Sequence, residues 1–286
     1  MNKLSVMTLG FLKETVFPYM SDGDKVSLIE RYSALLEEIK ISGFSYIDVS
    51  SFEVNAIGVE EFLTLLEKHN LNVACLIHID DFGAENECQY IETTNLAIDL
   101  AATLGTEMFM VVVKPHAEMS GDYEYNRKII AKNCKGVVEY AKKYGITVVA
   151  ENYPDLTLGI TRACDVKEFL GCANGVKLVF DTGNVIIGEE YPVKFLDGFD
   201  ANEIAHVHIK DVLVSDAIVN RGERLADGRR VDTVFTGEGI VDIDGAINVL
   251  KQKNYKGYYV LEYAGKQGVK RKDALAYCKQ YIEQKI

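Results

Sequence analysis

Short runs of β-branched and apolar residues alternate along the chain with longer segments whose apolar positions recur every three or four residues. The compact runs fall at 4–9, 46–49, 73–79, 108–113, 147–150, 177–180, 205–209 and 258–261. Their length and β-branched content predict strands, most of them apolar on both faces. Helical spacing fills the intervals near 24–40, 58–70, 86–104, 123–144, 162–171, 192–199, 243–254 and 268–284, as in Phe62, Leu65 and Leu66 or Ile129, Val137, Val138, Tyr140 and Ala141. Strand and helix alternating in this way predict parallel pairing through right-handed crossovers.

A weak internal repeat supports this reading. Gly43-Phe-Ser-Tyr-Ile-Asp48, Gly145-Ile-Thr-Val-Val-Ala-Glu151, Gly175-Val-Lys-Leu-Val-Phe-Asp181 and Gly257-Tyr-Tyr-Val-Leu-Glu262 share one grammar: a glycine that ends a helix, a buried strand, and an acid at the strand's carboxyl end. Eight such units fit a closed (β/α)8 TIM barrel better than an open doubly wound sheet. After the first run, Gly10 stands without the further glycines of a dinucleotide-binding turn. No linker interrupts the pattern, so residues 1–286 are expected to form a single α/β domain.

Composition narrows the partners. A chain of 286 residues with 48% hydrophobic and 26% charged residues is ordinary globular material. Forty-three acids against 31 lysines and arginines give a net charge of −12, a field that repels phosphate backbones and anionic lipid, so no nucleic acid or membrane partner is expected. The first twenty residues carry Lys3, Lys13 and Glu14 and do not resemble a targeting segment, and no run approaches the ~18 apolar residues of a membrane span. Six scattered cysteines without a C-x-x-C pair argue against a disulfide framework and fit a reducing cytoplasm.

In an α/β barrel the active site lies at the carboxyl ends of the strands. Four consecutive strands offer Glu151, Asp181, His208 and Glu262 there, one each. Neighbouring strands are ~4.8 Å apart, so inward side chains can converge. Three carboxylates and an imidazole suit one divalent ion, Mn²⁺, Mg²⁺, Co²⁺ or Zn²⁺. Without a cation they would repel, and at least one carboxylate would tend to hold a proton. Asp-Thr-Gly-Asn at 181–184 is also good turn chemistry. His206 shares the face of His208 and lies one layer deeper, as a core residue or a substrate contact.

These motifs resemble the sugar phosphate isomerase/epimerase superfamily, the xylose isomerase-like barrels that include ketose 3-epimerases, hydroxypyruvate isomerases, inosose dehydratases and endonuclease IV. The matching pieces are Glu151 after Val148-Val149-Ala150, Asp181-Thr-Gly-Asn184, His206-Val-His-Ile-Lys-Asp211, Gly237-Glu-Gly-Ile-Val-Asp242 and Tyr258-Tyr-Val-Leu-Glu262. The resemblance implies that Glu151, Asp181, His208 and Glu262 bind one metal, and that Glu151 and Glu262 exchange protons with carbon from opposite faces of a ketose or keto-polyol. Lewis-acid stabilisation of an enediolate, worth several kcal/mol, would make that proton removable. Return of the proton gives an epimerase or isomerase; expulsion of a β-hydroxyl gives an inosose-type dehydratase. Many members carry histidine where Asn184 stands, and asparagine can bind a substrate oxygen but cannot titrate. Five histidines do not readily supply the multi-zinc cluster of the nuclease branch.

Further candidate substrate contacts are His78 after the third strand, Lys114 and His116 after the fourth, and Lys210. Asp48 ends the second strand, as a substrate contact or half of a buried ion pair. Arg221, Arg224, Arg229 and Arg230 crowd into ten residues and could capture an anion, and Gly265-Lys-Gln-Gly268 is a weaker phosphate-loop candidate. The expected activity is therefore that of a metal-dependent sugar isomerase or epimerase, with a dehydratase, a nuclease and a non-catalytic sugar sensor as rivals. Barrels of this kind often pair through outer helices, so a homo-oligomer is compatible with the sequence, although no segment marks an interface.

Overall fold

The computed structural model describes residues 3–84, 90–114, 121–215, 223–225 and 227–286. The strands are β1 (Lys3–Met7), β2 (Tyr46–Ser50), β3 (Asn72–Asp80), β4 (Met108–Val113), β5 (Thr147–Glu151), β6 (Lys177–Asp181), β7 (Ile204–Ile209), β8 (Asp211–Ser215), β9 (Glu223–Arg224), β10 (Arg230–Val234) and β11 (Tyr258–Leu261). The helices are α1 (Val16–Asp22), α2 (Lys25–Ile41), α3 (Ser51–Ile57), α4 (Val59–His69), α5 (Ile91–Thr103), α6 (Tyr123–Ala141), α7 (Ala163–Cys172), α8 (Pro192–Asp197), α9 (Ile243–Gln252) and α10 (Arg271–Glu283). Eight parallel strands close a barrel in the order β1-β11-β7-β6-β5-β4-β3-β2. Each of the eight expected runs is one of its staves.

Two apolar layers hold it. Outside the barrel, Leu76, Phe109, Phe180, Val207, Tyr259 and Leu261 pack beneath helical residues such as Leu36, Phe62, Val137 and Ile247. Each such side chain contributes about 1.5–3 kcal/mol through burial. Inside, Met7, Cys75, Ile77, Met108, Met110, Val112, Val149, Val179 and Val260 form a separate plug. The barrel interior beneath the rim is thus a packed core.

Local chemistry explains where elements begin and end. Ser50 and Glu53 form a reciprocal capping box at α3, Asp122 caps α6, and the Asp242 carboxylate accepts from Gly245 N–H to start α9. Gly43, Gly145 and Gly175 adopt positive φ, as the repeat requires. Gly257 does not belong with them: a Cβ there would meet Tyr255 Oη at 2.2 Å, so it is small for want of space.

Three features were not anticipated. Helices α1 and α3 are short inserts before the main crossover helices. After β7 the chain leaves the barrel in a three-stranded antiparallel sheet ordered β8-β10-β9, with Val212, Leu225 and Val231 packed on Ile187. The arginine-rich stretch that could capture an anion thus supplies β9 and the start of β10.

Candidate metal centre

Strand pairing brings the acids and the histidine to one end of the barrel, with Asp181 and His208 level and the two glutamates staggered about them. Asp181 pairs with His208 across β6 and β7, Val260 pairs with His208 across β11 and β7, and Glu151 pairs with Val179 across β5 and β6. One ligand atom from each of Glu151, Asp181, His208 and Glu262 lies within 4.8 Å of the others. His208 Nδ1 stands 3.4 Å from Glu262 Oε1, 3.6 Å from Glu151 Oε2 and 4.0 Å from Asp181 Oδ2. The imidazole and Asp181 are fully buried, and the two glutamates retain 11% and 16% side-chain exposure toward the mouth.

Asp181 divides its oxygens. Oδ1 accepts from the backbone N–H groups of Gly183 at 2.8 Å and Asn184 at 2.7 Å, closing the turn, while Oδ2 faces the cluster. Asn152, directly after β5, steadies this strand end, accepting from Asp181 N–H at 2.8 Å and donating to Asp181 C=O at 3.0 Å. Sequence reasoning missed Asn152, although its place directly after Glu151 was the available signal.

A protein cation already sits here. Lys210 Nζ lies 2.7 Å from Glu262 Oε2 and 3.3 Å from Asp181 Oδ2, and donates to Asn184 Oδ1 at 3.0 Å. Asn184 Nδ2 reaches Glu151 Oε2 at 3.5 Å, so Lys210 and Asn184 bridge the two glutamates. A recess of about 120 Å³ opens beside them, lined by Gly183, Asn184, Lys210, Glu223 and Thr233.

The electrostatics are those of a site wanting positive charge. Burial, opposed by Lys210 but reinforced by Glu262 and Glu151, pushes the Asp181 carboxyl up to about 8. Burial works against the His208 imidazolium, yet Glu151 and Glu262 beside it raise it to about 10. Glu262 is depressed despite its burial, because Lys210 and His208 hold it ionised. A divalent ion fits these residues. Both ring nitrogens of His208 are buried without a hydrogen-bond partner among the described residues, and three carboxylates face Nδ1. The donors are hard oxygens plus one imidazole.

The Lys210-Asp211 pair does a second task. Asp211 Oδ2 accepts from Gly237 N–H at 2.9 Å and Gly239 N–H at 2.8 Å, and Oδ1 from Val212 N–H at 3.0 Å and Val241 N–H at 3.2 Å. A Cβ on Gly239 would lie 2.0 Å from Asp211 Oδ1. The Gly-Glu-Gly-Ile-Val-Asp motif is therefore the clasp that ties the β8–β10 excursion back to α9.

Other candidates lie elsewhere. His206 is fully buried under His208, its Nε2 bonded to Asp48 Oδ2 at 2.5 Å, which removes it from the substrate contacts. His78 also needs correction. Cys75 and Ile77 point into the barrel, so His78 points out toward the helices, against Phe82 and Phe109. There it contacts Ser51 Oγ at 2.9 Å and Asp80 Oδ2 at 3.2 Å. Lys114 is exposed at the rim and borders the same outer groove as His78, together with Phe52 and Leu96. His116 and Arg221 lie outside the described residues.

A profile of the xylose isomerase-like TIM barrel family matches residues 36–281. The chain belongs to this family. Among xylose isomerase-like relatives, an inosose dehydratase of Clostridium botulinum (strain Alaska E43 / Type E3) is 23% identical, the alignment spanning 99% of this chain and 97% of the relative. The fold matches a D-allulose 3-epimerase from Methylomonas sp. in complex with D-allulose, with a TM-score of 0.76 and 18% identity over 100% of this chain and 97% of that one. It also matches the IOLI protein with a bound zinc atom, with a TM-score of 0.75 and 17% identity over 98% of this chain and 97% of that one. No helix among the described residues is long and apolar enough to cross a membrane.

Proposed function

We propose that this protein is a divalent-metal-dependent enzyme that removes the proton beside the carbonyl of a small ketose or keto-polyol, the ion being held by Glu151, Asp181, His208 and Glu262. The observation that carries the reading is the convergence of these four side chains in strand order β5, β6, β7, β11. Glu151 and Glu262 come from the outer two strands of that run, so a substrate seated between them meets a carboxylate on each side. When bound, a divalent ion supplies Lewis-acid stabilisation of the charge that develops on the carbonyl oxygen, worth several kcal/mol.

The residues around it supply the rest. Glu262, kept ionised by Lys210 and His208, stands on one side of the substrate and Glu151 on the other, the two carboxylates assigned to exchange protons with carbon. Asn184 and Lys210 stand where substrate oxygens would be held, and neither offers the titratable imidazole many relatives carry. Asp181 and His208 are too deep for proton exchange with substrate and are assigned to the ion. Return of the proton makes the protein an epimerase or isomerase.

A dehydratase is the second reading. It is favoured by end-to-end similarity to relatives named inosose dehydratase and by an ammonium beside Glu262 that can hold an anionic or leaving oxygen. The experiment incubates the Mn²⁺-loaded protein in D₂O with an inosose and, separately, with ketohexoses, followed by mass spectrometry. Deuterium gained at carbon with water retained supports the isomerase or epimerase, and loss of water supports the lyase. Neither change across the panel, with Mn²⁺ bound, would overturn the proposed chemistry.

A further inference from the structure

Asp48 lies in the barrel interior one layer below the cluster, fully buried beside the apolar plug. A carboxylate there costs several kcal/mol unless its charge and lone pairs are met. Ser5 Oγ donates to Oδ1 at 2.6 Å, and His206 Nε2 meets Oδ2 at 2.5 Å. The same Oδ2 stands 4.0 Å from Nε2 of His208, and among the described residues no other carboxylate comes as near to that nitrogen. The opposite nitrogen, Nδ1, faces Glu151, Asp181 and Glu262. His208 therefore has an acid below one nitrogen and the candidate ion site above the other.

We propose that Asp48 is a positioning residue: acting through its charge across 4.0 Å, beyond hydrogen-bond reach, it favours the single N–H of neutral His208 at the otherwise unpartnered Nε2 and so leaves the Nδ1 lone pair aimed at the cluster. The inference rests on the ion site proposed above. A neutral imidazole carries one N–H and one lone pair, and a metal takes the lone pair, so whatever favours the N–H at one nitrogen chooses the other as ligand. Cys75 shares the layer with Asp48 and His206, but the direct 2.5 Å contact leaves no space for a second cation between them. The buried pair reads as a hydrogen-bonded support. Ser5 from β1 and His206 from β7 fix the carboxylate on both oxygens, so its aim at His208 is set by two strands at once.

The test measures Mn²⁺ affinity and melting temperature of the full chain for the parent, Asp48→Asn and His206→Gln. Both substitutions disturb the buried pair and lower the melting temperature. Only Asp48→Asn removes the acid beneath His208, and it is expected to weaken Mn²⁺ binding by about tenfold, the low end of the range for losing a directly hydrogen-bonded outer partner. His206→Gln keeps a donor for Asp48 and is expected to keep the parent's affinity. Unchanged affinity in Asp48→Asn, or equal loss in both variants, would overturn the inference while leaving the ion site standing. A parent that binds no Mn²⁺ would overturn the ion site and this inference with it. Should Asp48→Asn fail to fold, ¹⁵N spectra of the Zn²⁺-loaded parent decide: a proton on Nε2 of His208 supports the assignment, a proton on Nδ1 refutes it.

Discussion

Loading the four-residue cluster with a divalent ion should expel nearly two protons at neutral pH. Without the ion, His208 is raised to about 10 and Asp181 to about 8. At about pH 7 the imidazole is then almost wholly protonated and the carboxyl roughly nine-tenths so, whereas an ion needs both groups proton-free. Affinity should therefore climb about 100-fold per pH unit below about pH 7, and about tenfold per unit between about 8 and 10. The same shifts act on folding with a definite sign. Both folded-state values lie above the ordinary ones, so the native metal-free protein holds more protons than the unfolded chain. That stability is complete below the ordinary values and is lost as pH rises through about 8 for Asp181 and about 10 for His208. Isothermal titration of Mn²⁺ into metal-free protein, in buffers of differing ionisation enthalpy, counts the protons directly. Scanning calorimetry should show the metal-free melting temperature falling from mildly acidic to alkaline pH, and the loaded protein resisting the fall. Ion binding that releases no protons, with affinity flat across this range, refutes the assignment of His208 and Asp181 as ligands.

Glu151→Gln and Glu262→Gln should each slow deuterium exchange at the substrate carbon by about 10²–10⁴-fold, the range for losing a general base or acid, while circular dichroism stays that of the parent. Exchange at the parent rate in either would remove that glutamate from the chemistry. Lys210→Met should tighten Mn²⁺ binding, because it deletes an ammonium 2.7 Å from Glu262 and 3.3 Å from Asp181 that competes for the same charge; weaker binding would contradict this. Asp211→Asn turns one of the two accepting oxygens into an NH₂ donor, so one pair of N–H groups, that of Gly237 and Gly239 or that of Val212 and Val241, loses its acceptor and recovers some bonding from water. The cost is about 2–3 kcal/mol, or roughly 5 °C in a chain of this size, and a melting temperature equal to the parent's would show that the clasp holds nothing. Prolonged dialysis against chelator should abolish turnover and Mn²⁺ restore it; activity in protein shown free of metal would sink the proposed mechanism.

The barrel was legible because its strands and helices differ in period and its helices end on glycine. The direction of individual side chains was not. Strands such as Val73–Ile79 are apolar on both sides, and such strands carry no alternation from which a face can be read. His78 was therefore assigned by its place near the end of β3, and the plug residues Cys75 and Ile77 reveal that it points the other way. On β7 two histidines spaced by one residue break the apolar run, and there the face could be read. The β8–β10 sheet was missed because its pairing joins Asp211 to Val234 and Ser215 to Arg230 across a long excursion that leaves no local mark.

Asp181 shows why the two explanations for an acid at a strand end need not compete. Its Oδ1 closes the turn on Gly183 and Asn184, and its Oδ2 faces His208 and Lys210. Because the turn bonds hold the carboxylate's plane, the direction of Oδ2 follows from the backbone and does not wait for an ion to order it. Asp211 repeats the principle one strand later, with both oxygens spent on backbone N–H groups and none left for chemistry. Two aspartates at neighbouring strand ends thus look alike in sequence and differ in function through the number of N–H groups each must satisfy. An acid with all its lone pairs used by the fold is an anchor, and one with an oxygen to spare over buried like charge is a ligand.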